Sequence, residues 1–359
     1  MSIDSKQRII FLDYLRVFAF VSVLVGHKFY QEMSSFVMSV PTPHITEQYF
    51  INLFLSMFTG GGAGVVVFFM ISGYIILHVL QKEKPVEFMI KRVFRIYPLL
   101  IVAIITQVLL QDAPIDYMQT LQQISLMGDF FQAPHALAGV EWTLRVEIIF
   151  YILMFILSFS FLLRDKGYLL LSVFSLLSIF LFCFAPFPNA GWSKAYLSMY
   201  FPFLLIGSTI YLYEHNRVNI YALIGFVLLV FTLCFKLTAQ YQQNWQQTNF
   251  ILVGFLVFVF FWSLRNKKFI LHPYIDKHVI TLSLLTYSVY LFHNFLWTYI
   301  GQITNTMGLE SKYWIVFFLL FWCFVMFKLI EMPMNKVGKK IAIYYTTKGK
   351  DEINHNPSL

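Results

Sequence analysis

The chain has 359 residues, 58% of them hydrophobic and only 12% charged, with 41 Phe and a net charge of +8. A soluble domain of this size cannot hide so much apolar surface, so the composition excludes a water-soluble enzyme and predicts an all-α, polytopic membrane helix bundle. It also argues against a nucleic-acid binder, because the basic residues are scattered over short segments with no basic domain to hold them.

Apolar runs long enough to cross a ~30 Å hydrocarbon core number about ten. They fall near 9–30, 50–80, 97–111, 146–163, 168–184, 195–213, 219–235, 249–264, 279–300 and 312–331. The first carries Arg16 and His27. Eleven residues at ~100° each return to within roughly 20° of the same helix face, three turns and ~16 Å apart. Two ionisable groups on one stripe of an apolar helix predict a site facing the protein interior. The competing reading is that Arg16 snorkels to one headgroup layer while His27 lies near the other. The length of this run, its internal Arg and the lack of a small-residue cleavage site argue against a cleavable signal peptide.

The second run is overlong and interrupted by Thr59-Gly60-Gly61-Gly62-Ala63-Gly64, which predicts a short re-entrant piece followed by a span from Gly64. Such glycines either let irregular backbone line a cavity or let helices pack closely. The cluster lacks the Lys-Ser/Thr of a phosphate loop. Before the third run, the stretch 82–96 reads as a basic inside loop, with Arg92 and Arg95 one helical turn apart on one face. Paired guanidiniums suit a phosphorylated ligand, although taken alone they are accounted for more simply by the positive-inside bias and anionic lipid.

The segment 112–145 reads as a long outside loop. The fourth run then opens with Glu141-Trp142-Thr143-Leu144-Arg145-Val146-Glu147, and Tyr151 lies four residues beyond Glu147. An inward-running helix starting here brings Glu147 to a depth similar to that of His27. A carboxylate there would orient the imidazole as a general base, or would simply complement a helix start. In the ninth run Ser283, Tyr287, Tyr290, His293 and Asn294 form a polar stripe that reads chiefly as interfacial anchoring, with support of a neighbouring site as the alternative.

Lys and Arg set the topology. With a cytoplasmic N-terminus, 19 of the 26 basic residues fall inside, among them Lys6, Arg8, Arg164 and Lys268; Lys28, Arg145, Lys194, Lys236 and Lys312 fall outside. Both termini are therefore expected in the cytoplasm. Residues 1–335 read as the transmembrane domain and 336–359 as a solvated polar tail. Cys183, Cys234 and Cys323 lie in or beside apolar runs and read as reduced packing residues. No cluster with metal-ligand spacing is apparent.

Taken together, these segments resemble the acyltransferase-3 family of integral membrane acyltransferases, which O-acetylate bacterial surface polysaccharides. The resemblance covers essentially the whole chain. It is carried by Arg16-x10-His27, by Phe68-Phe69-Met70-Ile71-Ser72-Gly73-Tyr74, by Arg92-x-x-Arg95 and by Trp142-x4-Glu147.

It implies a multi-pass protein of the cytoplasmic (inner) membrane, surrounded by lipid. Such a protein moves an acyl group, usually acetyl, from cytoplasmic acetyl-CoA to a hydroxyl of an envelope polysaccharide or its lipid-linked precursor. Acetyl-CoA is a substrate, and no permanently bound cofactor is expected. His27 would be the general base with Glu147 fixing its tautomer. Arg92 and Arg95 would hold the donor, and Arg16 would line its route or hold Asp13. Trp142, Tyr151, Tyr74 and Ser72 would contact substrate or support those groups. An acyl-enzyme on a tyrosine or on His27 is a competing mechanism. Some relatives add a further span and a soluble esterase-like domain; without them, direct transfer to the acceptor is expected. Two other functions fit the same residues: a transporter or flippase of lipid-linked glycan, which needs no donor site, and an acyltransferase with a small-molecule or lipid acceptor.

Overall fold

The computed structural model describes residues 9–39, 44–111, 114–163, 166–185, 187, 195–241, 249–267 and 270–355. Of the charges used above for topology, Lys6, Arg8, Arg164, Lys194 and Lys268 lie outside these ranges, as do the last four residues of the polar tail.

The described residues are helical and contain no strand. The principal helices are α1 (Ile10–Lys28), α2 (Gly62–Leu80), α3 (Pro85–Leu110), α4 (Trp142–Ser158), α5 (Gly167–Cys183), α6 (Tyr196–Glu214), α7 (Ile220–Gln240), α8 (Asn249–Ser263), α9 (Pro273–Leu284), α10 (Thr286–Phe292), α11 (Phe295–Thr306), α12 (Lys312–Met326) and α13 (Met332–His355). Six stretches among them are long and apolar enough to cross a membrane: Ile10–Lys28, Thr59–Leu80, Pro85–Leu110, Tyr196–Glu214, Ile220–Gln240 and Lys312–Thr346. The expected runs at 168–184 and 249–264 form the shorter apolar helices α5 and α8.

The bundle is built around α6 and α2. Helix α6 is buried on every face from Tyr196 to Leu212, as expected of a helix that is apolar all round. It meets α2 at backbone distance because glycine faces carbonyl in both directions. A Cβ on Gly73 would lie 1.8 Å from the Leu204 oxygen, and one on Gly207 would lie 2.0 Å from the Met70 oxygen. Ser208 then donates to the Gly73 carbonyl at 3.0 Å. Small residues at such crossings supply the packing that lipid cannot drive hydrophobically. Gly73→Val is expected to destabilise the bundle by ~1–3 kcal/mol or more. Thermal unfolding of the detergent-purified protein checks this, and an unchanged melting temperature would contradict the crossing.

Four readings change. The stretch 82–96 is not a loop: α3 starts at Pro85, a favoured first helical position, and carries Arg92 and Arg95 on its first turns. The ninth run is three helices, broken at Leu285 and again at His293–Asn294. The polar tail is not a free end, because the chain passes from α12 through a π-helical turn, Phe327–Glu331, into α13. The division drawn at 335 therefore falls inside a helix. A Cβ on Gly338 would lie 2.4 Å from the Phe94 Cβ, and Ala342 is fully buried. Small residues four apart mark the packing face, but their polar neighbours mask it in the sequence.

Finally, the expected loop 112–145 is held by a buried network on α4. Arg145 donates to Asp129 at 2.9 Å and to Glu141 at 3.0 Å, and Glu141 also takes the Ala136 amide. Arg145 is thus committed to this network, away from Glu147.

Candidate functional site

Helices α1 and α2 run antiparallel, and their contacts give a depth scale. A Cβ on Gly61 would meet Val23 and one on Gly64 would meet the Ala19 carbonyl, while the Tyr74 ring lies 5.7 Å from that of Phe11. The approach is possible because Gly60 and Gly61 adopt φ of +55° and +71°, conformations that favour glycine, just before α2 starts. Gly64 packs on α1 and also lines the cavity described next, so the glycine cluster does both things the sequence allowed.

A cavity of about 580 Å³ lies between α1, α2, α3, α4, α9, α10 and the π turn. At one end it is lined by Glu83, Lys91, Arg92, Arg95 and Lys339; deeper in it meets Arg16, Ser72, Glu147 and Tyr151. At the far end it reaches Val23, Gly64, Phe68, Thr143 and Tyr290. We refer to its two ends as the basic end and the His27 end.

Arg92 is 8% exposed, and its guanidinium lies 5.3 Å from the Phe88 ring and 5.8 Å from the Tyr151 ring. Its Nε is buried with no hydrogen-bond partner. Lys91, by contrast, is committed to Glu83 at 2.7 Å and Glu87 at 2.6 Å. Arg95 is exposed along the cavity wall. Arg16 donates to Asp13 at 3.1 Å, and Asp13 also accepts from Ser283 at 2.8 Å. A buried guanidinium with an unmet donor, beside a second arginine on a polar cavity wall, has the makings of an anion site.

Glu147 accepts from Ser72 at 2.7 Å and from Tyr151 at 2.6 Å. Ser72 is eleven residues along α2 from Gly61, or roughly 16 Å. Ser72 thus sits opposite Leu12, so Glu147 lies about a turn beyond Arg16 toward the start of α1 and not, as expected, at the level of His27. Its hydrogen bonds join it to the wall that carries Arg92.

His27 is exposed at the far end of α1, one turn beyond Val23, where the cavity stops. Its neighbour is another imidazole: the His293 ring is 5.5 Å away, and His293 itself is 1% exposed. Lys28 donates to Asn294 at 2.8 Å, and Asn294 donates to the Ala138 carbonyl at 2.9 Å. Phe68 and Tyr290, stacked with ring centres 6.2 Å apart, both line the cavity, and the Tyr290 ring lies 6.1 Å from that of His293. The Tyr290 hydroxyl is held by the Val140 carbonyl and by Thr143.

The structure thus brings Arg16, Asp13, Ser72, Arg92, Arg95, Glu147 and Tyr151 to one cavity or its immediate wall. It does not bring Tyr74 or Trp142 there. Tyr74 donates to Glu214 at 2.9 Å, and Trp142 packs among Phe69, Tyr196 and Tyr200. Two further groups belong to the site, one that the sequence reading set down chiefly as interfacial anchoring and one that it passed over. The ninth-run stripe supplies Ser283, Tyr287 and Tyr290 to the cavity, with His293 beyond them. Glu331, 8% exposed on the π turn, also lines it and accepts from Ser288 at 3.0 Å. Single π turns in helices often occur at functional sites, but a one-residue widening leaves no pattern in the sequence.

Among comparisons with known proteins, residues 9–330 match a family model described as an acyltransferase domain, of acyltransferase-3 type. No curated protein and no solved structure matches the chain.

Proposed function

Because the chain belongs to the acyltransferase-3 family and is a membrane acyltransferase, we propose that it transfers acetyl from cytoplasmic acetyl-CoA to a hydroxyl of an envelope polysaccharide or its lipid-linked precursor. The observation that carries this reading is Arg92, a buried cation with an unmet Nε, set against the edge-to-face pair Phe88 and Tyr151 on the wall of a 580 Å³ cavity. That volume lies within the range of small-molecule sites.

In this reading the basic end faces the cytoplasm of a bacterial inner membrane, in line with the positive-inside bias. Arg92 and Arg95 grip the phosphates of the donor. Glu147, through Tyr151 and Ser72, stiffens the wall that holds Arg92. The pantetheine arm extends along the cavity past Arg16 toward Tyr290. From the end of the cavity at Val23 the thioester meets His27 one turn further along α1, past the Tyr290 ring. His27 takes the proton of the acceptor hydroxyl as its oxygen attacks the thioester carbonyl. The C–S bond then breaks, the acyl group stays on the acceptor oxygen, and the departing thiolate leaves as CoA-SH with that proton. General-base assistance of this kind is typically worth ~10²–10⁴ in rate.

The test is mass spectrometry of envelope glycans from wild-type cells and from cells lacking the protein. The reading expects one acetyl ester to vanish in the deletion and return with the wild-type gene. Identical glycan acetylation in the two strains would overturn the proposed acceptor.

A further inference from the structure

The ring beside His27 has no role in the mechanism above, and its surroundings are specific. His293 sits at the break between α10 and α11, where its Nδ1 faces the carbonyl oxygens of Tyr290 at 2.8 Å and Val289 at 3.2 Å. A nitrogen facing two acceptors must carry a proton, so the neutral ring is fixed as the Nδ1–H tautomer with a lone pair on Nε2. That Nε2 is buried and has no hydrogen-bond partner. Buried polar atoms in folded proteins are nearly always satisfied, and an exception calls for an explanation. The nearest imidazole is His27, at 5.5 Å between ring centres and 52° between planes. Hydrogen bonds of catalytic groups are often long before substrate binds and tighten in the reacting complex.

We propose that His293 is the positioning residue for His27: its Nε2 accepts the N–H of His27 and so turns the other His27 nitrogen, as a free lone pair, toward the acceptor hydroxyl. The proposal deepens the acyl-transfer reading and rests on it. It also fills a vacancy left by the correction above, since the carboxylate expected to orient His27 is held by Ser72 and Tyr151 about four helical turns away. Sharing a hydrogen bond with Nε2 stabilises the imidazolium that His27 becomes when it takes the acceptor proton. His27 then returns that proton to the departing thiolate, so His293 ends each turnover unchanged. The backbone that fixes its tautomer belongs in part to Tyr290, which ties the orienting ring to a residue that lines the cavity.

Three variants separate orientation from packing. Phe at position 293 refills the space of the ring and accepts no hydrogen bond; Gln fills it less well but offers a side-chain oxygen; Ala does neither. Each is purified as the full chain, reconstituted in vesicles, and assayed with radiolabelled acetyl-CoA and lipid-linked glycan extracted from deletion cells. His293→Ala is expected to lower kcat by ~10² while leaving the acetyl-CoA KM within about twofold. His293→Gln is expected to recover about tenfold of that loss, and His293→Phe to recover none of it. Phe matching or exceeding Gln would overturn the pairing and leave packing as the role of the ring. That comparison stands even if the alanine variant fails to fold, because both larger side chains fill the site. A wild-type protein that transfers acetyl to no glycan hydroxyl would overturn the acyl-transfer reading, and this proposal with it.

Discussion

Arg92→Ala is expected to raise the Kd for acetyl-CoA by ~10–10², a loss of roughly 1.5–3 kcal/mol for a hydrogen bond to a charged group. The reasoning starts from burial. A guanidinium at 8% exposure has already been desolvated, and the two rings beside it return only part of that cost. A phosphate reaching the unmet Nε supplies both the counter-charge and the missing acceptor. Arg92→Lys is expected to recover little, since an ammonium packs less well against the Phe88 and Tyr151 rings and offers no planar fork. Arg95→Ala should cost less than Arg92→Ala, because Arg95 is exposed and its charge is better screened by water. Equilibrium binding of acetyl-CoA to detergent-purified protein reads all three. Equal affinity in wild type and Arg92→Ala would remove the donor from this wall.

His27→Ala is expected to lower the transfer rate by ~10²–10⁴ with donor affinity unchanged. The two variants therefore divide cleanly, one acting on binding and the other on chemistry, because their side chains lie at opposite ends of the cavity. His27 is exposed and its ring contact is with His293, so losing the imidazole removes little packing and the bundle should stay folded. A His27→Ala protein that acetylates its acceptor at the wild-type rate would take this residue out of the chemistry.

Most of the basic end of the cavity was legible in the sequence. Arg16 and Arg92 announce themselves as charges in or beside apolar runs, where only an interior site justifies their desolvation. The spacing of Arg92 and Arg95 places them on one face whatever the helix packs against. Glu147 was misplaced because sequence order says which end of a helix a residue is near, but not how helices slide past one another. The hydrogen bond that fixes its depth comes from Ser72, 75 positions earlier. His293 and Tyr290 were discounted for a related reason. In the sequence their stripe resembles an interfacial belt, and only the packing of α10 against α1 and α3 shows that it faces the interior. The tail misled through composition alone, since Lys336, Lys339 and Lys340 hide the Gly338 and Ala342 face that packs on α3.

The account stands on a thioester that enters at Arg92 and reacts at His27, across the membrane from where it was supplied. Vesicles with the protein in one orientation test this most directly. Radiolabelled acetyl-CoA is given only on the Arg92 side, and lipid-linked glycan from deletion cells is presented only on the His27 side. The prediction is labelled glycan on the His27 side, lost in both Arg92→Ala/Arg95→Ala and His27→Ala. Label that reaches glycan only when donor and acceptor share a side, or that persists undiminished without the His27 imidazole, would contradict it.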